Sequence, residues 1–131
     1  MNSKKLRSSI KHIYESALQS VEPELAVKRF LQRKNNLLKV GTETYDLRKR
    51  RVFLVGMGKA GVPMARAVEK VLGPNFESGM IVVKYRCGGK LNKTKVLEAG
   101  HPEPDQAGVE STQCIVNFPV SYTHLTLPTN A

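Results

Sequence analysis

The stretch Arg51-Val-Phe-Leu-Val-Gly-Met-Gly-Lys-Ala-Gly61-Val-Pro-Met-Ala65 decides how this chain folds. A β-branched and aromatic run, Val52–Val55, reads as a strand, and the periodic apolar residues of Val62–Leu72 read as a helix. Between them lies a glycine turn with one lysine. Gly56 and Gly58 permit backbone angles and close approaches that a Cβ forbids. The first N–H groups of the following helix lack intrahelical partners and carry partial positive charge. Lys59 adds a full charge at the same place, so the turn is built to receive an anion. Gly56-x-Gly58-x-x-Gly61 also satisfies the dinucleotide fingerprint, which requires an acidic residue about 20 positions later for a ribose hydroxyl. The chain has Lys84-Tyr85-Arg86 in that region, which speaks against NAD and leaves Arg86 as a group for a 2′-phosphate.

Working outward, Met80–Lys84 and Val96–Ala99 read as further strands, and Gly73-Pro74 ends the helix that follows the turn. Asp105–Phe118 carries Val109, Thr112, Ile115 and Val116 at helical spacing, with Asp105 as its cap. Strands alternating with helices predict an α/β fold, a Rossmann-like parallel sheet flanked by helices with right-handed crossovers. Helices precede it. Leu6, Ile10, Ile13, Tyr14, Ala17, Leu18 and Val21 form one apolar stripe, whose expected role is core packing. Pro23 opens a second helix containing Leu25, Phe30 and Leu31. Lys34–Lys39 reads as a connection, and Thr42–Leu47 as loop or a short strand.

The second informative stretch is Lys95-Val-Leu-Glu-Ala-Gly100-His-Pro-Glu-Pro-Asp105-Gln-Ala-Gly108. His101 precedes a proline and is therefore kept from helical angles. Two roles fit it: an incidental member of a rigid loop, or a ligand-facing group at the carboxyl end of a strand, where α/β sheets bind ligands.

Together these stretches resemble the amino-terminal part of the glycerate kinases that carry a MOFRL domain. The resemblance is ordered, from Ala17-Leu18-x-x-Val21-x-Pro23 through Val55-Gly-Met-Gly-Lys59-Ala60 and Ile81-Val-Val-Lys-Tyr85 to Glu98-Ala-Gly-His-Pro-Glu-Pro-Asp105. Gly61 stands where that family often has alanine. The resemblance implies phosphoryl transfer from ATP to glycerate, with 2-phosphoglycerate favoured as product, ATP and magnesium in the intact enzyme, and glycerate and ATP as small anionic partners. It implies Lys59 as the catalytic residue, with Gly56, Gly58, Lys59 and His101 binding substrate.

It covers residues 4–118, so residues 1–118 are expected to form an incomplete Rossmann-like domain, with the nucleotide loop beyond Phe118. Such a fragment is expected to be inactive and to bind neither ATP nor magnesium tightly. Val120-Ser-Tyr-Thr-His-Leu-Thr-Leu-Pro-Thr-Asn-Ala131 looks like a translated sequencing adapter, so residues 119–131 are read as a non-native tail. Tyr122 and His124 receive no functional weight.

Composition narrows the remaining choices. The 131-residue chain carries a net charge of +10, and the surplus is concentrated before Val52, where 13 basic residues face 5 acidic ones. Such charge steers anions. No basic run is interleaved with aromatic platforms, so a specific nucleic-acid partner is not expected. The cysteines, Cys87 and Cys114, show neither disulfide-framework nor metal-ligand spacing. With no apolar run of about 20 residues, no membrane association is expected, and a cytoplasmic location is. Two other classes share the strand, glycine turn and helix: an NADP-binding Rossmann domain, and a sugar-phosphate module of the sugar isomerase type. The latter expects a hydroxyl residue where Ala60 stands.

Overall fold

The computed structural model describes residues 3–122. Two helices come first, α1 (Ser3–Ser20) and α2 (Pro23–Phe30). Pro23 occupies the first turn of α2, and the Glu22 side chain accepts from the Leu25 N–H at 2.7 Å. A meander follows, β1 (Leu31–Lys34), β2 (Leu37–Val40) and β3 (Glu43–Asp46), antiparallel throughout. Then come β4 (Val52–Met57), α3 (Gly61–Leu72), β5 (Phe76–Lys84), β6 (Thr94–Ala99) and α4 (Gln106–Val120). The strands β4, β5 and β6 form a parallel sheet in chain order. The expected α/β architecture is therefore present, with a small antiparallel sheet added.

That added sheet corrects the reading of Lys34–Lys39 as a connection. Asn35-Asn36 and Gly41-Thr42 are two-residue hairpin loops, and their first residues hold φ of 55° and 59°. Glycine and asparagine take such angles at low cost, so each loop reverses the chain and pairs the short strands on either side. Leu31 belongs to β1 rather than to the preceding helix.

The core has two centres. Leu38 and Leu47, from the meander and the segment after it, meet Leu72 and Phe76 from the far end of α3 and the start of β5. Val62 and Ala65 of α3 meet Ile81 and Val83 of β5, the residues of one face of that strand. Gly61 makes this second contact possible, because a Cβ there would lie 2.8 Å from Val83 Cγ1.

The amino-terminal edge of the parallel sheet is closed by Glu69. Its buried carboxylate accepts from the N–H groups of Asn92 and Lys93 at 3.0 and 2.9 Å and from the Thr94 hydroxyl at 2.8 Å. One side chain of α3 thereby fixes where β6 begins.

α1 departs from expectation. Its stripe does not enter the core: none of its residues is buried, and Ile13 and Val21 are 68% and 69% exposed. The stripe has the predicted spacing, but Leu6, Ile10, Ile13, Tyr14, Leu18 and Val21 all stay exposed. At the other end, α4 continues past Phe118 to Val120. Phe118 is buried, and the rings of Phe53, Phe118 and Tyr122 form a cluster with centroids 4.5–6.1 Å apart. Tyr122 therefore has a packing role that the sequence did not suggest. His124 and the rest of residues 123–131 lie outside the described residues.

Candidate functional site

The glycine turn sits where β4 ends. Gly58 holds a φ of 120°, an angle reserved in practice for glycine, and its N–H donates to the Val82 carbonyl at 2.9 Å. The Gly61 N–H turns back to the Gly58 carbonyl at 3.0 Å. These two amides are already spent, one on β5 and one inside the turn, so the helix start offers fewer donors than the sequence suggests. The N–H groups of Lys59 and Ala60 have no hydrogen-bond partner among the described residues.

Gly56 lies inside β4, where an added Cβ would come 3.3 Å from Ile81 Cγ2. It packs against the neighbouring strand and does not line the cleft described next.

Residues after β6 build the opposite wall. Gly100 leaves no room for a side chain, since a Cβ would come 2.6 Å from the Glu103 carbonyl oxygen. His101 follows with a cis bond to Pro102. Asp105 ends the loop as the cap of α4, accepting from the Gly108 N–H at 2.9 Å and from the Tyr85 hydroxyl at 2.6 Å. The Tyr85 hydroxyl, with the amides of Gly100 and Gly108, holds the Asp105 carboxyl below its ordinary range. The same bond raises the Tyr85 phenol. One carboxylate thus ties the ends of β5 and β6 to the first turn of α4, and the segment carrying His101 is pinned at both ends.

Between these walls is a cleft of about 670 Å³ at the carboxyl ends of the parallel strands. Gly58, Lys59, Lys84 and His101 line its polar side. Val82, Val109 and Ile115 contribute apolar surface from β5 and α4. The structure thus brings Gly58, Lys59 and His101 together, as the α/β rule for ligand position expects, and leaves Gly56 behind them. Lys84, which sequence reasoning passed over, joins them. Its signal was available, since it continues the alternation of Met80 and Val82 on one face of β5.

The described lining contains no aspartate or glutamate, and no group of three or more His, Cys, Asp or Glu among the described residues is arranged to hold a metal ion. The cleft suits an anion, and the residues present do not fit magnesium.

A family model described as a domain of unknown function (DUF4147) matches residues 9–126, a range that passes Phe118. The glycerate 2-kinase of Pyrococcus horikoshii is 34% identical over 93 residues, covering 71% of this chain and 20% of that protein. A protein of Agrobacterium vitis named putative hydroxypyruvate reductase is 29% identical over 109 residues, covering 83% of this chain and 22% of its own length. The crystal structure of a glycerate kinase from Thermotoga maritima superposes with a TM-score of 0.68 at 29% identity, covering 88% of this chain and 25% of that one. The chain therefore spans only a fifth to a quarter of the relatives it matches.

Proposed function

This chain belongs to the family described as a domain of unknown function (DUF4147), and we propose that it is the glycerate-gripping portion of a kinase that transfers a phosphoryl group from ATP to glycerate, with 2-phosphoglycerate as product. The observation that carries this reading is the cleft itself, with Lys59 on the glycine turn, His101 on the opposite loop and no acid in the described lining.

Phosphoryl transfer depends mainly on positioning reactants and neutralising charge that develops on the transferred oxygens. Lys59 suits both tasks. Its side chain springs from the turn whose Lys59 and Ala60 amides are unpartnered and lines the cleft, where it holds glycerate's carboxylate or hydroxyl, or stabilises the moving phosphoryl group. His101, pinned by the Asp105 network, borders the opposite side of the bound molecule. Gly58 gives the turn its angle, and Gly56 sets its distance from β5. The described lining offers magnesium no carboxylate, and this chain alone is proposed to be inactive. Lacking a helix long and apolar enough to span a membrane among the described residues, it is proposed to work in the cytoplasm.

The relative named as a reductase favours a second reading, hydride transfer with NADP. β5 is the neighbour of β4, so its end is where the ribose-binding acid of a dinucleotide fold would stand. Lys84 and Arg86 occupy that end. Titration of this chain with glycerate and with NADP, followed by NMR, separates the two. Glycerate is expected to shift the Lys59 side-chain signals, with Lys59→Met abolishing the response. A response to NADP without one to glycerate would replace the kinase reading.

A further inference from the structure

We propose that Lys84 is a second anion-binding group of this cleft, and that Lys59 and Lys84 together select a ligand bearing two anionic groups over one bearing a single carboxylate. The proposal rests on the glycerate reading above and names what that site discriminates.

Its basis is register and charge. In the parallel sheet Met57 lies opposite Val82, and Lys84 lies opposite Ala99. Lys59 is two residues past Met57, and His101 is two residues past Ala99. Lys84 therefore ends the central strand between the two strand ends that supply the other polar groups. Along β5, Ile81 and Val83 are buried against Val62 and Ala65 of α3, while the alternate residues Val82 and Lys84 line the cleft, which Val83 also borders. At an ordinary two-sided sheet position this face would hold another apolar residue. Here it holds a lysine whose ammonium has no ion-pair or hydrogen-bond partner among the described residues, and Lys59 likewise has none.

Neighbouring acids form no ion pair with either ammonium among the described residues. Asp105 already accepts from Tyr85 and Gly108, and Glu98 accepts from the Gly88 N–H at 2.9 Å. Neither carboxylate lines the cleft. Two ammonium groups in one concavity repel each other, and that repulsion is relieved most by a ligand carrying at least two negative charges. Glycerate offers one carboxylate. A glycerate with a phosphoryl group beside its carboxylate offers both, which is the charge pattern that phosphoryl transfer creates.

The test uses this chain, with glycerate, 2-phosphoglycerate and inorganic phosphate as probes. The wild-type chain should bind 2-phosphoglycerate at least about tenfold more tightly than glycerate. Lys84→Met keeps the length and apolar stem of the side chain, and should bring that ratio close to one. Lys84→Arg should restore most of it. Lys95→Met, which removes an exposed charge from β6 outside the cleft, should leave the ratio unchanged. If Lys84→Met leaves the ratio intact while Lys59→Met weakens both ligands, Lys84 is surface charge and the proposal fails while the glycerate site stands. An equal loss on Lys95→Met would assign the selectivity to net charge and overturn the proposal. If no probe moves the signals of either lysine, the glycerate reading falls and takes the proposal with it.

Discussion

The two ends of the parallel sheet use the same chemistry for opposite purposes. At the amino-terminal edge, Glu69 meets two backbone amides and a hydroxyl, and the group is buried and complete. At the carboxyl-terminal edge, Asp105 is equally occupied, but the residues beside it are not. Lys59, Lys84 and His101 face an open cleft without an acid in the described lining. One edge satisfies its polar groups internally, and the other keeps charge available for something that is not protein. Substitutions at the first edge should therefore change stability, and those at the second should change binding and turnover.

The largest effect is expected at the closed edge. Phe76 is 1% exposed and joins the meander to α3, so Phe76→Ala should cost about 3–5 kcal/mol through lost burial and the cavity left behind. Urea denaturation measures this, and a loss under about 1 kcal/mol would mean the two sheets do not share that core. At the open edge, Lys59→Ala in a complete version of the enzyme should lower kcat/KM at least about a hundredfold, with little change in melting temperature. Near-normal turnover with both substrates saturating would remove Lys59 from the active site.

Glu69 gives the next effect, with a definite sign. Burial alone pushes its carboxyl up, but the Lys93 amide, the Thr94 hydroxyl and the Asn92 amide together leave it below 4.5. A carboxyl lowered on folding contributes stability above its unfolded pKa and loses that contribution as pH falls through the folded value. Glu69→Gln should cost about 1–3 kcal/mol at neutral pH and should flatten the decline in stability below pH 4.5. An unchanged acid limb would show that other carboxylates govern it. The smallest effect tests the ring cluster. Tyr122→Ala should cost about 0.5–1.5 kcal/mol, the worth of aromatic contacts of this kind, and no loss in a thermal melt would show that residues past Phe118 contribute nothing to the fold.

Much of this molecule was legible because its signals are local. The glycine turn, the helix after it, the proline-flanked loop and the Asp105 cap each follow from residues within a few positions of one another. What was missed depends on partners. The Leu37–Val40 strand carries a lysine and has two-residue loops on both sides, so its identity rests on pairing with strands that are just as short. Periodicity revealed the apolar face of α1 but not whether anything covers it. The same measure found α3, whose face is buried, and it does not distinguish the two cases. In the site, Lys59 was legible from its turn and His101 from its prolines. Lys84 could be placed on a face of β5 by alternation, but only the register set it between the other two.

The uncovered stripe of α1 also governs how the chain behaves as a colloid. Its net charge of +10 keeps copies apart in dilute buffer. Salt shortens the reach of that repulsion from about 30 Å at 0.01 M to about 8 Å at 0.15 M, while the attraction between apolar stripes is not screened. Raising the ionic strength should therefore turn a dispersed solution into one whose light scattering climbs with protein concentration.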